Sequence, residues 1–305
     1  MSGWNRVATV PMQRSLFESI SVSQRKLGEV QQQMATGKKA PDFASLGIET
    51  MRNLSARTLL VRQEAHAAVG ARIGTTLSIM DSQMGGIEES LSKLRDGLLS
   101  AVGTGRADGL QEVVEEAFQR FRTGLNSDEA GQFLFAGSQT ATAPFAPASL
   151  AACAGVPTAS AFRNDGVTAE ARVADGLDVT YGTTASAIGS ELFGAFRTLA
   201  EAGTIGATPT PAQMTSINEA IGQLNDGLMT LRAAHAENGR RQAQVESLAE
   251  RASERTLILE KMVSRNEDAD LAEVASQLVQ RQTTLEASYT LFSRLSNLSL
   301  INFMR

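Results

Sequence analysis

Apolar residues recur along this chain at three- and four-residue steps over long stretches. Such steps put side chains on one face of a helix. Near the start, Leu16, Ile20, Leu27, Val30 and Met34 share a seam of the a/d heptad kind. Ser23 sits where the seam needs an apolar residue, and a polar residue there fixes register at a cost in stability. "ATGKKAPDFASLG" then breaks the pattern at Gly37 and Pro41. A second run, Val69, Ile73, Leu77, Met80, Met84, Ile87, Leu91, Leu94 and Leu98, ends at "VGTGRADG". Val113, Ala117, Phe121 and Leu125 predict a shorter helix. Farther on, Met214, Ile217, Ile221, Leu224, Leu228 and Leu231 form a stripe that continues weakly through Val245, Leu248, Ala252, Leu259 and Val263. "NEDADLAE" restarts the pattern, with Asp270 and Glu273 at capping-box spacing. The last helix follows, with Leu271, Val274, Leu278, Leu285, Tyr289, Phe292, Leu295 and Leu298 on its stripe.

Between the helical zones the period changes. Val167, Ala169, Ala171 and Val173 alternate with polar residues, and after Asp175-Gly176 so do Leu177, Val179 and Tyr181. Asp-Gly between alternating runs predicts a hairpin whose two turn residues both have positive φ. The seven prolines agree with this division. None lies between Asp42 and Ala143, and none follows Pro211. The fold class expected is mainly α: an elongated antiparallel helical bundle with terminal coiled-coil helices and a small β-rich insert. Residues 1–40 and 266–305 are the terminal coiled-coil segments, 41–138 and 185–265 the bundle core, and 139–184 an outer insert. That insert is expected to face solvent and to be dispensable to the helical body.

Composition narrows the function. Aromatic residues are 5% of 305, few for a compact core but enough for helices packed through Leu, Val, Met and Ala. A net charge of -5 gives no general attraction to nucleic acid. The single Cys153 excludes an intrachain disulfide framework and a cysteine-rich zinc site. No 18-residue apolar run occurs, so no membrane span is expected, and the first twenty residues lack the apolar region of a Sec signal. Candidate chemistry is sparse. His66 and His235 have no second ligand at metal spacing, and His235 extends the Leu228–Leu231 stripe as a core or rim residue. Cys153 has no partner histidine in view. "GTGRADG" reads as an interhelical turn, and "DADLAE" as a helix cap rather than a calcium loop. Lys38-Lys39 reads as a solvated turn before an anion site. Basic residues outnumber acidic ones in the first forty positions, which suits either a solvated helix face or a recognition segment. No catalytic residue, metal ligand or cofactor site is expected.

Three stretches carry a family resemblance. "QQQMATGKKAPDFASLG" resembles the N-terminal signature of the bacterial flagellin and hook-associated family. "GQFLFAGSQTATAPF" resembles the passage from that family's helical core to its outer domain, and the stretch from Asp268 to Arg305 resembles its C-terminal helix. The order of the three matches is what makes them specific. "KKAPDFASLG" replaces the acidic pattern usual in filament subunits, and only Pro41-Asp42 remains of the Asp-Asp-Pro usual in members that join hook to filament. The ending "LEASYTLFSRLSNLSLINFMR" is closer to those joining members. The resemblance implies a non-enzymatic flagellar protein, exported unfolded by the type III apparatus to the cell exterior. Its termini would be disordered in the monomer and pair on assembly. The implied partners are copies of itself in a ring or tube, neighbouring hook-associated protein and flagellin subunits, and an export chaperone at the C-terminal segment. No nucleic acid or membrane partner is implied. The assembly residues would be Leu16, Ile20, Leu27, Val30, Met34, Leu278, Leu285, Tyr289, Phe292, Leu295 and Leu298. A filament-forming subunit is the alternative left open.

Overall fold

The computed structural model describes residues 4–42, 44, 47 and 49–303, with side chains for those between 14 and 294. Seven helices carry the chain: α1 (Trp4–Thr36), α2 (Glu49–Thr104), α3 (Leu110–Leu125), α4 (Thr158–Ala161), α5 (Ala185–Glu201), α6 (Pro211–Glu267) and α7 (Leu271–Phe303). Two antiparallel pairs of short strands join them: β1 (Asp128–Glu129) with β2 (Gln132–Phe133), and β3 (Ala169–Ala174) with β4 (Leu177–Tyr181). The chain forms two compact units, Arg62–Glu254 and Met1–Val61 with Arg255–Arg305.

The middle unit, Arg62–Glu254, holds a closed apolar core. The α2 stripe from Ile73 to Leu98 is buried throughout, and Val69 at its start is half-buried. Here α2 and α6 run antiparallel: Asn238 Nδ2 donates to the Leu77 carbonyl at 3.0 Å, while Arg232, a turn and a half earlier, reaches Glu88 at 2.7 Å. A Thr-x-x-Gln box starts α6. Gln213 N donates to Thr210 Oγ1 at 3.3 Å, Thr210 N donates to Gln213 Oε1 at 3.0 Å, and Pro211 takes the first helical position, where its missing N–H costs nothing. Gly227 of α6 lets α5 lie close, since a Cβ there would meet Leu192 Cδ2 at 2.5 Å. On α3 Ala117, Phe121 and Leu125 are buried as expected, with Leu110, Val114 and Phe118 beside them, while Val113 is half-buried at the edge of the stripe.

The segment 139–184 departs from the expected outer insert. Phe145, Cys153, Ala161, Val173 and Val179 all enter the same core. Phe145 has ring centroids 5.2 Å from Phe121, 5.4 Å from Phe162 and 5.8 Å from Phe193. Asn126, just past α3, grips the Phe145 backbone both ways: its amide donates to the carbonyl and its oxygen accepts the N–H, each at 2.9 Å. Phe118 and Phe121 of α3 and Phe193 of α5 gather about the Phe145 ring, which is why this segment packs inward. The hairpin is present, with Ala171 opposite Val179 and Arg172 forked onto Asp178 at 2.8 Å. Its turn differs from the expected mirror-image type. Only Gly176 is left-handed, at φ 69°, and a register shift between Arg172 and Ala174 takes up the difference. The hairpin tip is not free, because Asp175 meets Arg62 and His66 of α2, each at 3.4 Å.

Candidate functional site

The terminal unit is built the opposite way. Its α1 and α7, 33 residues each, pair antiparallel, as the partners show: Phe17 meets Phe292 edge to face at 5.7 Å, Gln24 Nε2 donates to the Tyr289 hydroxyl at 2.5 Å, and Ala269 N donates to the Gly37 carbonyl at 2.9 Å. Two helices side by side can bury one narrow stripe on each. Among the described residues, α1 buries only Ile20 and Val30, and α7 only Val274.

Of the expected seam, Leu16, Leu27, Leu278, Leu285 and Phe292 are half-buried, and Met34 and Tyr289 are exposed. The side chains of Leu295 and Leu298 lie outside the described residues. Phe17, beside the seam, was not singled out by periodicity, because it stands one position off the a/d pattern. It is 65% exposed. Fourteen of the eighteen exposed large apolar side chains belong to the terminal unit, among them Phe17, Met51, Val61, Ile258, Val279 and Leu291. Single exposed apolar residues are ordinary, but this concentration on one unit marks a surface for other chains.

One polar knot holds this unit. Glu267, at the end of α6, is 6% exposed and is the only buried charged residue among those described. Arg57 forks onto its carboxylate at 2.7 and 2.6 Å, Asn53 Nδ2 donates at 2.6 Å, and Lys38 Nζ lies at 3.4 Å. The Arg57 bonds, joined by those of Asn53 and Lys38, hold the carboxyl far below its usual range, at about 2, against the opposing effect of burial. Lys38 also meets Asp268 at 2.6 Å, a contact that raises the lysine's own value, so the turn is solvated as expected, with Lys38 and Lys39 exposed, but Lys38 is ion-paired there. Backbone bonds run alongside, from Lys39 N to the Glu267 carbonyl at 2.7 Å, and Lys39 Nζ donates to the Arg265 carbonyl. Asp270 caps α7 as expected, accepting from Ala272 N at 2.9 Å and Glu273 N at 3.3 Å. Glu273 instead accepts from Gln277.

The residues weighed for chemistry sit elsewhere, in the middle unit. Burial pushes the Cys153 thiol up to about 12, so it is a packed, protonated thiol. His235 bridges Asp81 at 2.9 Å and Glu88 at 3.4 Å across α2 and α6. Glu88 is held below its usual range, chiefly by Arg232.

Residues 214–304 match the family described as the bacterial flagellin C-terminal helical region. Among curated proteins no sequence matches this chain. The solved structures that share its fold include two flagellar proteins. One, described as a flagellar hook-associated protein from Vibrio parahaemolyticus, is 19% identical with a TM-score of 0.59, over 72% of this chain and 97% of that one. The other, FlgL from Bacillus cereus, is 12% identical with a TM-score of 0.55, over 69% of this chain and 98% of that one. The matched region takes in most of α6 and all of α7, so it contributes one helix of the terminal pair and Glu267 of the knot.

Proposed function

We propose that this chain is a structural, non-enzymatic subunit of the bacterial flagellum that joins the hook to the filament outside the cell. The observation that carries the reading is the terminal unit, whose paired end helices fully bury only Ile20, Val30 and Val274 among the described residues, whereas the middle unit is well filled. Such a unit gains its missing burial from neighbours, about 25 cal/mol for each Å² of apolar surface removed from water. The partners are copies of the chain in a ring or tube, with hook-associated protein on one side and flagellin on the other. The seam of α1 and α7, from Leu16 to Met34 and from Leu278 to Leu298, forms the assembly layer. Export runs through the flagellar type III apparatus, with a chaperone at the C-terminal segment. The junction is favoured over the filament itself because the similar Vibrio parahaemolyticus structure is described as a hook-associated protein. Deleting the gene in its own bacterium tests this. Hooks should persist bare, with flagellin shed into the medium. Filaments still attached to hooks would overturn the proposal.

A further inference from the structure

Within the terminal unit, both helix breaks lie side by side. Gly37 ends α1, Asp268 to Asp270 separate α6 from α7, and backbone bonds of 2.7 and 2.9 Å tie the two breaks together. The α1–α7 pair is therefore joined to the α2–α6 pair at one place, and that place holds Glu267. A buried ion pair is a poor stabiliser compared with apolar packing, so its presence here points to positioning. Apolar packing around it is slight. Ala56 is the only buried apolar side chain that α2 and α6 contribute to this unit among the described residues. The knot is also not fully satisfied. Asn53 Oδ1 and, on the residue before Glu267, Asn266 Nδ2 are buried without partners among the described residues. A buried polar atom left unpaired costs free energy, so the knot is held at a cost that apolar packing would not carry.

We propose that Glu267 is an ionic latch: its bonds to Lys38, Asn53 and Arg57 fix the angle at which the α1–α7 pair leaves the α2–α6 pair, and releasing them lets the terminal pair swing as one arm. This rests on the junction reading in giving the swing a use, since a subunit between two differently packed tubes must meet neighbours at two angles. Asn53 and Arg57 act through Glu267 and are positioning residues.

The test uses the full chain with Cys153→Ala and paired spin labels, measured by pulsed dipolar spectroscopy. Labels at Ser55→Cys on α2 and Ser276→Cys on α7 report the angle. Labels at Ser21→Cys and Thr290→Cys report the α1–α7 pair alone. The latched chain should show one narrow distance for each. Glu267→Gln keeps the size and removes the charge, and Arg57→Gln breaks the fork from the other side. Each should raise a second α2–α7 distance about tenfold in population, the scale of losing charge-assisted bonds. The α1–α7 distance should stay narrow. No change in either variant would overturn the latch, and so would broadening of the α1–α7 distance, because the pair would then dissolve rather than swing. Both readouts are made on the isolated chain, so they stand whether or not the protein sits at the junction.

Discussion

Phe145→Ala isolates the claim that the middle segment is core. The ring is 2% exposed and lies within 6.1 Å of Phe118, Phe121, Phe162 and Phe193, centroid to centroid. Its backbone is held by Asn126, so the chain there has little freedom to collapse into the space left behind. Truncating a buried Phe costs about 3–5 kcal/mol, and the edge-on partners place this site in the upper half, about 4–5 kcal/mol. For a unit of this size, each kcal/mol moves the midpoint by about 2–4 °C, so the melting temperature should fall by about 8–20 °C. Urea unfolding followed by far-ultraviolet circular dichroism gives the stability directly. The midpoint should drop with little change in slope. A loss under about 1 kcal/mol would refute the reasoning, because segment 139–184 would then lie outside the cooperative core. Replacing that segment by a Gly/Ser linker should likewise abolish the cooperative transition.

Three further outcomes follow from the same contacts. Phe17→Ala with Phe292→Ala removes an edge-to-face pair on a largely exposed surface, so the melting temperature of the isolated chain should move by less than about 2 °C, while the same chain fails to retain filaments on hooks in the bacterium. Glu267 is held at about 2, below its unfolded value near 4.5, so its contribution is full above pH 4.5 and fades as pH falls toward 2. Protease cleavage between residues 33 and 41 should therefore rise over that window in the native chain, by at most the equivalent of about 3 kcal/mol since Arg57 and Lys38 are half in water, and Glu267→Gln should flatten the dependence. Cys153, with its thiol at about 12, should react with a disulfide reagent at pH 8 only after denaturant unfolds the middle unit, and prompt reaction in the native state would contradict its burial.

Long periodic helices were legible in the sequence because one apolar stripe repeats over many turns, as from Ile73 to Leu98, and because the hairpin alternates on either side of Asp175-Gly176. Helix α5 was not read, since Gly189 and Gly194 interrupt Ile188, Leu192, Phe193, Phe196 and Leu199 and dilute the signal. Strands β1 and β2 have two residues each, too few for any period to show. The inward packing of segment 139–184 depends on which aromatic rings meet, and Phe145 finds Phe193 only in three dimensions. The terminal seam was visible as a stripe, but its incomplete burial was not, because periodicity shows which face is apolar and not what covers it. The Glu267 knot was invisible for a similar reason. Lys38, Asn53 and Arg57 lie more than two hundred residues from their partner, and no local spacing joins them.

Where the protein sits on the flagellum bears most directly on the proposed role as a joint. Gly176 in the hairpin turn is exposed and is the place for an epitope. Immunogold electron microscopy of flagella isolated from a strain carrying that tagged chain should show a thin band at the distal end of each hook. Gold along the whole filament, or none on the flagellum, would contradict a hook-to-filament joint.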